Sequence, residues 1–159
     1  MRGMNARALD DLYNATILER ARHPRHQHRL EPFDAEGQEV NPLCGDRVML
    51  RLRCDAAGRI AAIGYEARAC AICLAASDIL AELAPGMTGA EACGVAQAFE
   101  RALRSGDMTA WHGRMAALHL FAALHDTPSR IGCATLPWKA LTHALRHAPK
   151  RALEGRGDG

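Results

Sequence analysis

Apolar and charged positions alternate through residues 47–54. Val48, Leu50, Leu52 and Cys54 fall on one phase, with Arg47, Met49, Arg51 and Arg53 on the other. A period of two sends successive side chains to opposite faces of a sheet, so this run predicts a half-buried strand. Asp55-Ala56-Ala57-Gly58 is a hairpin turn, and residues 60–67 supply the return strand of an antiparallel pair. Upstream the period changes. Leu9, Leu12, Tyr13 and Ile17 take the spacing of one helix face over residues 5–22, with Asp10 and Asp11 early and Arg20 and Arg22 late, as the helix dipole favours. That helix ends at His23-Pro24, and the polar stretch of residues 25–40 reads as a loop.

Helices account for the rest. Ile72, Ala75, Ala76, Ile79, Leu80 and Leu83 mark a helix over residues 71–84, closed by Pro85-Gly86. Thr88 with Glu91 three residues later is a capping box, opening a helix that runs to Ser105-Gly106. A further helix, residues 109–124, carries Met115, Leu118 and Phe121 or Ala122 on its apolar side, and its scattered His112 and His119, with His125 just beyond, read as solvated. After the loop 126–129, Pro137 marks the first turn of a last helix, which places Cys133 just ahead of it. The sum is an α+β fold: a small antiparallel sheet packed with helices in one domain, residues 1–148. Residues 149–159, with nothing to bury, read as a disordered C-terminal tail.

Composition narrows the function. The 159 residues suffice to bury one core, and 20 Lys and Arg against 18 Asp and Glu leave a net charge of +2. That is too small to point to nucleic acid or to a membrane surface. Residues 6–22 carry six charged side chains where a signal peptide would have an apolar segment, and no run is long and apolar enough to span a membrane. The expectation is a cytoplasmic protein whose six cysteines are reduced.

The six thiols divide by position. Cys54 and Cys93 lie inside elements and read as core. Cys44, Cys70 and Cys133 instead stand at element edges, beside a glycine or a helix start. In Asn41-Pro42-Leu43-Cys44-Gly45-Asp46 the proline and the glycine shape a turn that lets the Cys44 thiol and the Asp46 carboxylate point at one spot. Cys70 opens a helix, where the dipole and free N–H groups favour the thiolate. Three thiols and a carboxylate suit tetrahedral zinc, while three thiolates also suit an iron–sulfur cluster. Cys73, one turn from Cys70, completes a Cys-x-x-Cys and is open to three readings: spare ligand, resolving thiol or core.

In combination these motifs resemble the U-type scaffold family of iron–sulfur cluster biogenesis (IscU/NifU-like). The resemblance rests on Asp11-Leu12-Tyr13 with His23-Pro24-Arg25, on the Asn41 to Asp46 turn, on Ala69-Cys70-Ala71-Ile72, and on Arg130-Ile131-Gly132-Cys133-Ala134-Thr135-Leu136-Pro137-Trp138-Lys139-Ala140-Leu141. It spans residues 8–146 and is strongest to the SufU branch. The 62 residues between Cys70 and Cys133 and the segment ending at Leu141 carry that finer likeness. Gly132 and Thr127-Pro128-Ser129 stand where the IscU branch has a histidine and a Leu-Pro-Pro-Val-Lys chaperone-binding motif.

The resemblance implies a SufE/IscU-like fold holding one Zn2+ through Cys44, Asp46, Cys70 and Cys133. It implies a zinc-dependent sulfurtransferase in which Cys44 accepts persulfide sulfur from a PLP-dependent cysteine desulfurase (SufS-like) for downstream iron–sulfur assembly components. Asp46 would orient or ligate beside Cys44, and Arg130 would balance the site's negative charge. The alternative is a scaffold on which a [2Fe–2S] cluster is built on Cys44, Cys70 and Cys133.

Overall fold

The alternation in residues 47–54 becomes strand β2 (Arg47–Cys54) in the computed structural model, which describes residues 6–155. Helix α1 (Ala6–Arg22) and strand β1 (Ala35–Val40) precede it, and strand β3 (Ile60–Arg68) returns from the hairpin. Helices α2 (Ala71–Leu83) and α3 (Gly89–Ser105) follow, then a 3₁₀ helix (Gly113–Asp126), a 3₁₀ turn (Pro128–Arg130), α4 (Ile131–Arg146) and a short α5 (Lys150–Glu154). One antiparallel sheet, ordered β1-β2-β3, carries the helices in a single α+β domain. Its inner face presents Val48, Leu50, Leu52, Ile63 and Tyr65 to the core, and α4 packs across β1 and β2.

Four elements differ from the sequence expectation. Residues 35–40 form a strand, not a loop, and only Ala35 and Gly37 are buried along it. Helix α4 crosses so close that a Cβ on Gly37 would lie 2.2 Å from the Ala140 carbonyl oxygen. Inward positions are therefore too small to leave an apolar alternation. The segment after α3 winds as a 3₁₀ helix because its inward side chains Met115, Leu118, Phe121 and Leu124 recur every three residues, the repeat that a 3₁₀ helix stacks on one side. Phe121 there meets Phe99 of α3 edge-on at 5.9 Å.

Helix α4 begins at Ile131, six residues before Pro137, so Cys133 lies inside the helix and not ahead of it. Pro137 has no N–H for the Cys133 carbonyl four residues earlier. At the C-terminus, residues 150–154 of the expected tail form α5, with Ala152 buried and the Leu153 backbone packed over the hairpin glycine Gly58. Residues 156–159 lie outside the described residues.

One buried charge ties α1 to the body. Asp78 on α2 has no solvent exposure, and its carboxylate accepts hydrogen bonds from Arg20 Nε (2.6 Å), the N–H groups of Arg25 (3.0 Å) and His26 (2.8 Å), and the Tyr65 hydroxyl (3.1 Å). Burial alone would push this carboxyl up, but the Arg20 guanidinium and the two backbone donors outweigh it and hold it below the usual carboxylate range. Arg20 also pairs with Glu82 one turn further along α2.

Candidate metal centre

The turn between β1 and β2 is built by Asn41. Its side-chain oxygen accepts from Leu43 N–H (3.1 Å), its carbonyl accepts from Gly45 N–H (2.8 Å), and its own N–H donates to the Asp46 carbonyl (2.8 Å). Gly45 sits at φ 76°, a left-handed conformation that a side chain would resist. This tight loop lifts Cys44 into solvent and turns Asp46, only 4% exposed, inward.

Asp46 reaches the start of α2. One carboxylate oxygen accepts from the Cys70 N–H (2.9 Å), and the other lies 3.4 Å from the Cys70 sulfur, which donates to it. The Cys70 N–H is one of the donors that the beginning of a helix leaves without an internal partner, and the carboxylate satisfies it. From the opposite side α4 supplies Cys133, 3% exposed. The ligand atoms of Cys44, Asp46 and Cys133 lie within 4.8 Å of one another; Cys70 stands outside that set of three and adjoins it through its sulfur's hydrogen bond to Asp46. Three segments far apart in sequence, the β1–β2 turn, the α2 start and the first turn of α4, thus meet at one point. Among the described residues no other cluster of three or more His, Cys, Asp or Glu side chains has metal-ligand spacing.

The donors of this cluster suit a cation. Burial, then the neighbouring Cys70, Cys44 and Asp46, push the Cys133 thiol far above its ordinary range. Groups that each become anionic cannot all ionise in close contact unless positive charge joins them, and a divalent ion bound by thiolates and a carboxylate is the chemistry that this donor set fits.

Cys73 is fully buried on α2, and burial first, then Asp46, Cys70 and Cys133, raise its thiol as well. It packs behind the cluster. Arg130 is exposed on the 3₁₀ turn before α4, and its side chain has no hydrogen bond or ion pair among the described residues. Cys54 is buried in β2, as its phase implies, whereas Cys93 is only half-buried on α3. The Asn41-Pro42 pair marks the turn in the sequence, whereas the Asp78 anchor leaves no local signal because it acts through the backbone of Arg25 and His26, more than fifty residues away.

A small antiparallel sheet with helices packed on it is the architecture of solved NifU-like scaffold structures. Residues 12–153 match the NifU-like N-terminal domain, and the chain belongs to that family. It is similar to the iron–sulfur cluster assembly scaffold protein IscU of Streptococcus pyogenes serotype M1, with 29% identity over 88% of this chain and 86% of the relative. It is also similar to the zinc-dependent sulfurtransferase SufU of Bacillus subtilis, with 27% identity over 84% of this chain and 88% of the relative. Among solved structures, the N-terminal part of a nitrogen-fixing NifU-like protein from Brucella abortus superposes with a TM-score of 0.77 at 29% identity, covering 87% of this chain and 94% of that one. No helix among the described residues is long and apolar enough to cross a membrane.

Proposed function

We propose that this protein is a SufU-type, zinc-dependent sulfur acceptor that takes persulfide sulfur onto Cys44 from a PLP-dependent cysteine desulfurase and passes it to iron–sulfur assembly components. Cys44, Asp46, Cys70 and Cys133 hold the zinc. The observation that carries this reading is the uneven exposure of the cluster: Cys44 is open to solvent, while Asp46 and Cys133 are 4% and 3% exposed. An exposed thiol on a turn can meet a partner's sulfur while the buried groups stay in place.

Bound zinc would keep the thiols deprotonated at neutral pH and temper their reactivity. The chain's own residues do the rest. The Asn41 turn presents Cys44, and Asp46 fixes the α2 start through the Cys70 N–H. The Cys44 thiolate attacks the outer sulfur of the donor's persulfide. A new S–S bond forms at Cys44, the donor's S–S bond breaks, and the donor cysteine leaves as a thiolate. Arg130, exposed and three residues before Cys133, offers positive charge where the anionic persulfide arrives.

The competing reading takes Cys44, Cys70 and Cys133 as ligands of a [2Fe–2S] cluster assembled here as cargo, and the name of the Streptococcus relative favours it. Metal analysis of protein purified with and without air separates the two. Stoichiometric zinc without a visible chromophore in both preparations supports sulfur transfer. A brown, cluster-bearing protein from the anaerobic preparation supports the scaffold and overturns the proposal.

A further inference from the structure

The β2–β3 register sets Arg47 directly opposite Arg68. Like charges facing each other across an antiparallel pair are destabilising. Both side chains are exposed, and neither has a hydrogen bond or ion pair among the described residues. Further along this outer face Arg51 is neutralised, donating to Glu31 (2.6 Å) and Glu36 (2.7 Å) with its guanidinium 4.0 Å over the Phe33 ring, and Arg53 donates to the Pro32 carbonyl (3.1 Å). The two uncompensated guanidiniums line an open recess of about 570 Å³ with Arg29, against one carboxylate, Glu66.

The location gives the pair its meaning. Arg47 follows Asp46 directly and Arg68 precedes Cys70 by two residues, so both stand at the end of the sheet that carries the metal centre. Val40 pairs with Arg47 in the same cross-strand row and is 42% exposed, and Leu43, beside Cys44, is 89% exposed. Anion-seeking and apolar groups therefore stand on the strand ends and the turn that carry the one exposed thiol of the cluster. Side chains directly opposite on neighbouring strands sit about 5 Å apart at Cβ, close to the spacing of carboxylates one turn apart on a helix.

We propose that Arg47 and Arg68 are docking cations for an acidic segment of the sulfur donor, with Val40 and Leu43 as the apolar contact beside them. The inference rests on the reading of Cys44 as sulfur acceptor. Charges at the rim of an interface act mainly on the association rate and its salt dependence, so the pair steers the donor's persulfide towards Cys44.

The test measures binding of the cognate PLP-dependent cysteine desulfurase to three proteins at low and high salt. They are the wild type, Arg47→Gln/Arg68→Gln, and a control, Arg101→Gln/Arg151→Gln, that removes the same charge from α3 and α5. The β2–β3 variant should bind roughly tenfold more weakly at low salt and lose most of the salt dependence, while the control stays within about twofold of wild type. Its melting temperature should equal or exceed that of wild type, because a like-charge pair is gone. Unchanged binding by the β2–β3 variant overturns the docking role alone, and equal loss in the control reduces the effect to net charge and also overturns it. Inorganic phosphate bound by wild type and lost in the β2–β3 variant, with desulfurase affinity unchanged, would assign the pair to a small anion instead. A wild type that does not bind the desulfurase overturns both this inference and the proposed function.

Discussion

Asp78→Asn removes one negative charge from the interior while keeping the side chain's shape. In the folded protein that charge accepts from Arg20 Nε, two backbone N–H groups and the Tyr65 hydroxyl. The amide would present an NH2 group to some of these donors and leave Arg20, whose side chain is 17% exposed, with Glu82 as its remaining ion-pair partner. Hydrogen bonds to a charged group contribute about 1.5–3 kcal/mol each, and breaking a buried pair from one side costs about 3–5 kcal/mol. We expect a loss of roughly 3–5 kcal/mol, which for a chain of this size lowers Tm by roughly 10 °C. Urea denaturation at fixed zinc concentration reads the free energy directly, and zinc stoichiometry should not change because Asp78 lies outside the metal cluster. The pH dependence supplies an independent check. Asp78 has its folded pKa below the unfolded value, so its contribution is fully present above the unfolded pKa of about 3.9 and is lost as the pH falls through the folded value. Wild type and variant should therefore differ most near neutral pH and converge in acid, starting at about pH 4. A loss below about 1 kcal/mol, or a gap that does not narrow in acid, would refute the reasoning.

Three further substitutions probe other links. Gly37→Ala would drive a Cβ to 2.2 Å from the Ala140 carbonyl and should cost about 1–3 kcal/mol in denaturation, whereas Gly94→Ala on α3, with no atom within 4 Å of the new methyl, should stabilise by about 0.5–1 kcal/mol. Cys133→Ser should weaken zinc binding, measured by chelator competition, by roughly 100-fold or more and lower the melting temperature with it; wild-type affinity would remove Cys133 from the ligand set.

What could be read from the sequence follows from where each element draws its stability. Strand β2 exposes one face and buries the other, so its alternation is written in Val48, Leu50 and Leu52. The start of α3 was equally plain, because Thr88 accepts the Glu91 N–H (3.1 Å) within four residues of chain. Strand β1 was invisible, since the close approach of α4 demands Ala35 and Gly37 where an ordinary strand would carry Val or Ile. The start of α4 was misplaced for a related reason: Pro137 resembles a helix opening, yet the helix tolerates it at the seventh position. The candidate cluster is legible as a set of edge thiols plus Asp46, although Cys133 lies in the first turn of α4 and not ahead of it. The Arg47–Arg68 opposition could not be read at all, because it depends on the register of two strands.

The central claim is that Cys44 receives the sulfur. The most direct measurement is mass spectrometry of the proteolysed protein after incubation with its cysteine desulfurase and cysteine, with thiols alkylated at the end of the reaction. The account predicts a mass increase of one sulfur atom on the peptide that holds Cys44, absent from the Cys44→Ser variant, in which stimulation of the desulfurase is also lost while the fold persists. Persulfide found on Cys73 or Cys133 with Cys44 unmodified, or full stimulation by Cys44→Ser, would contradict it.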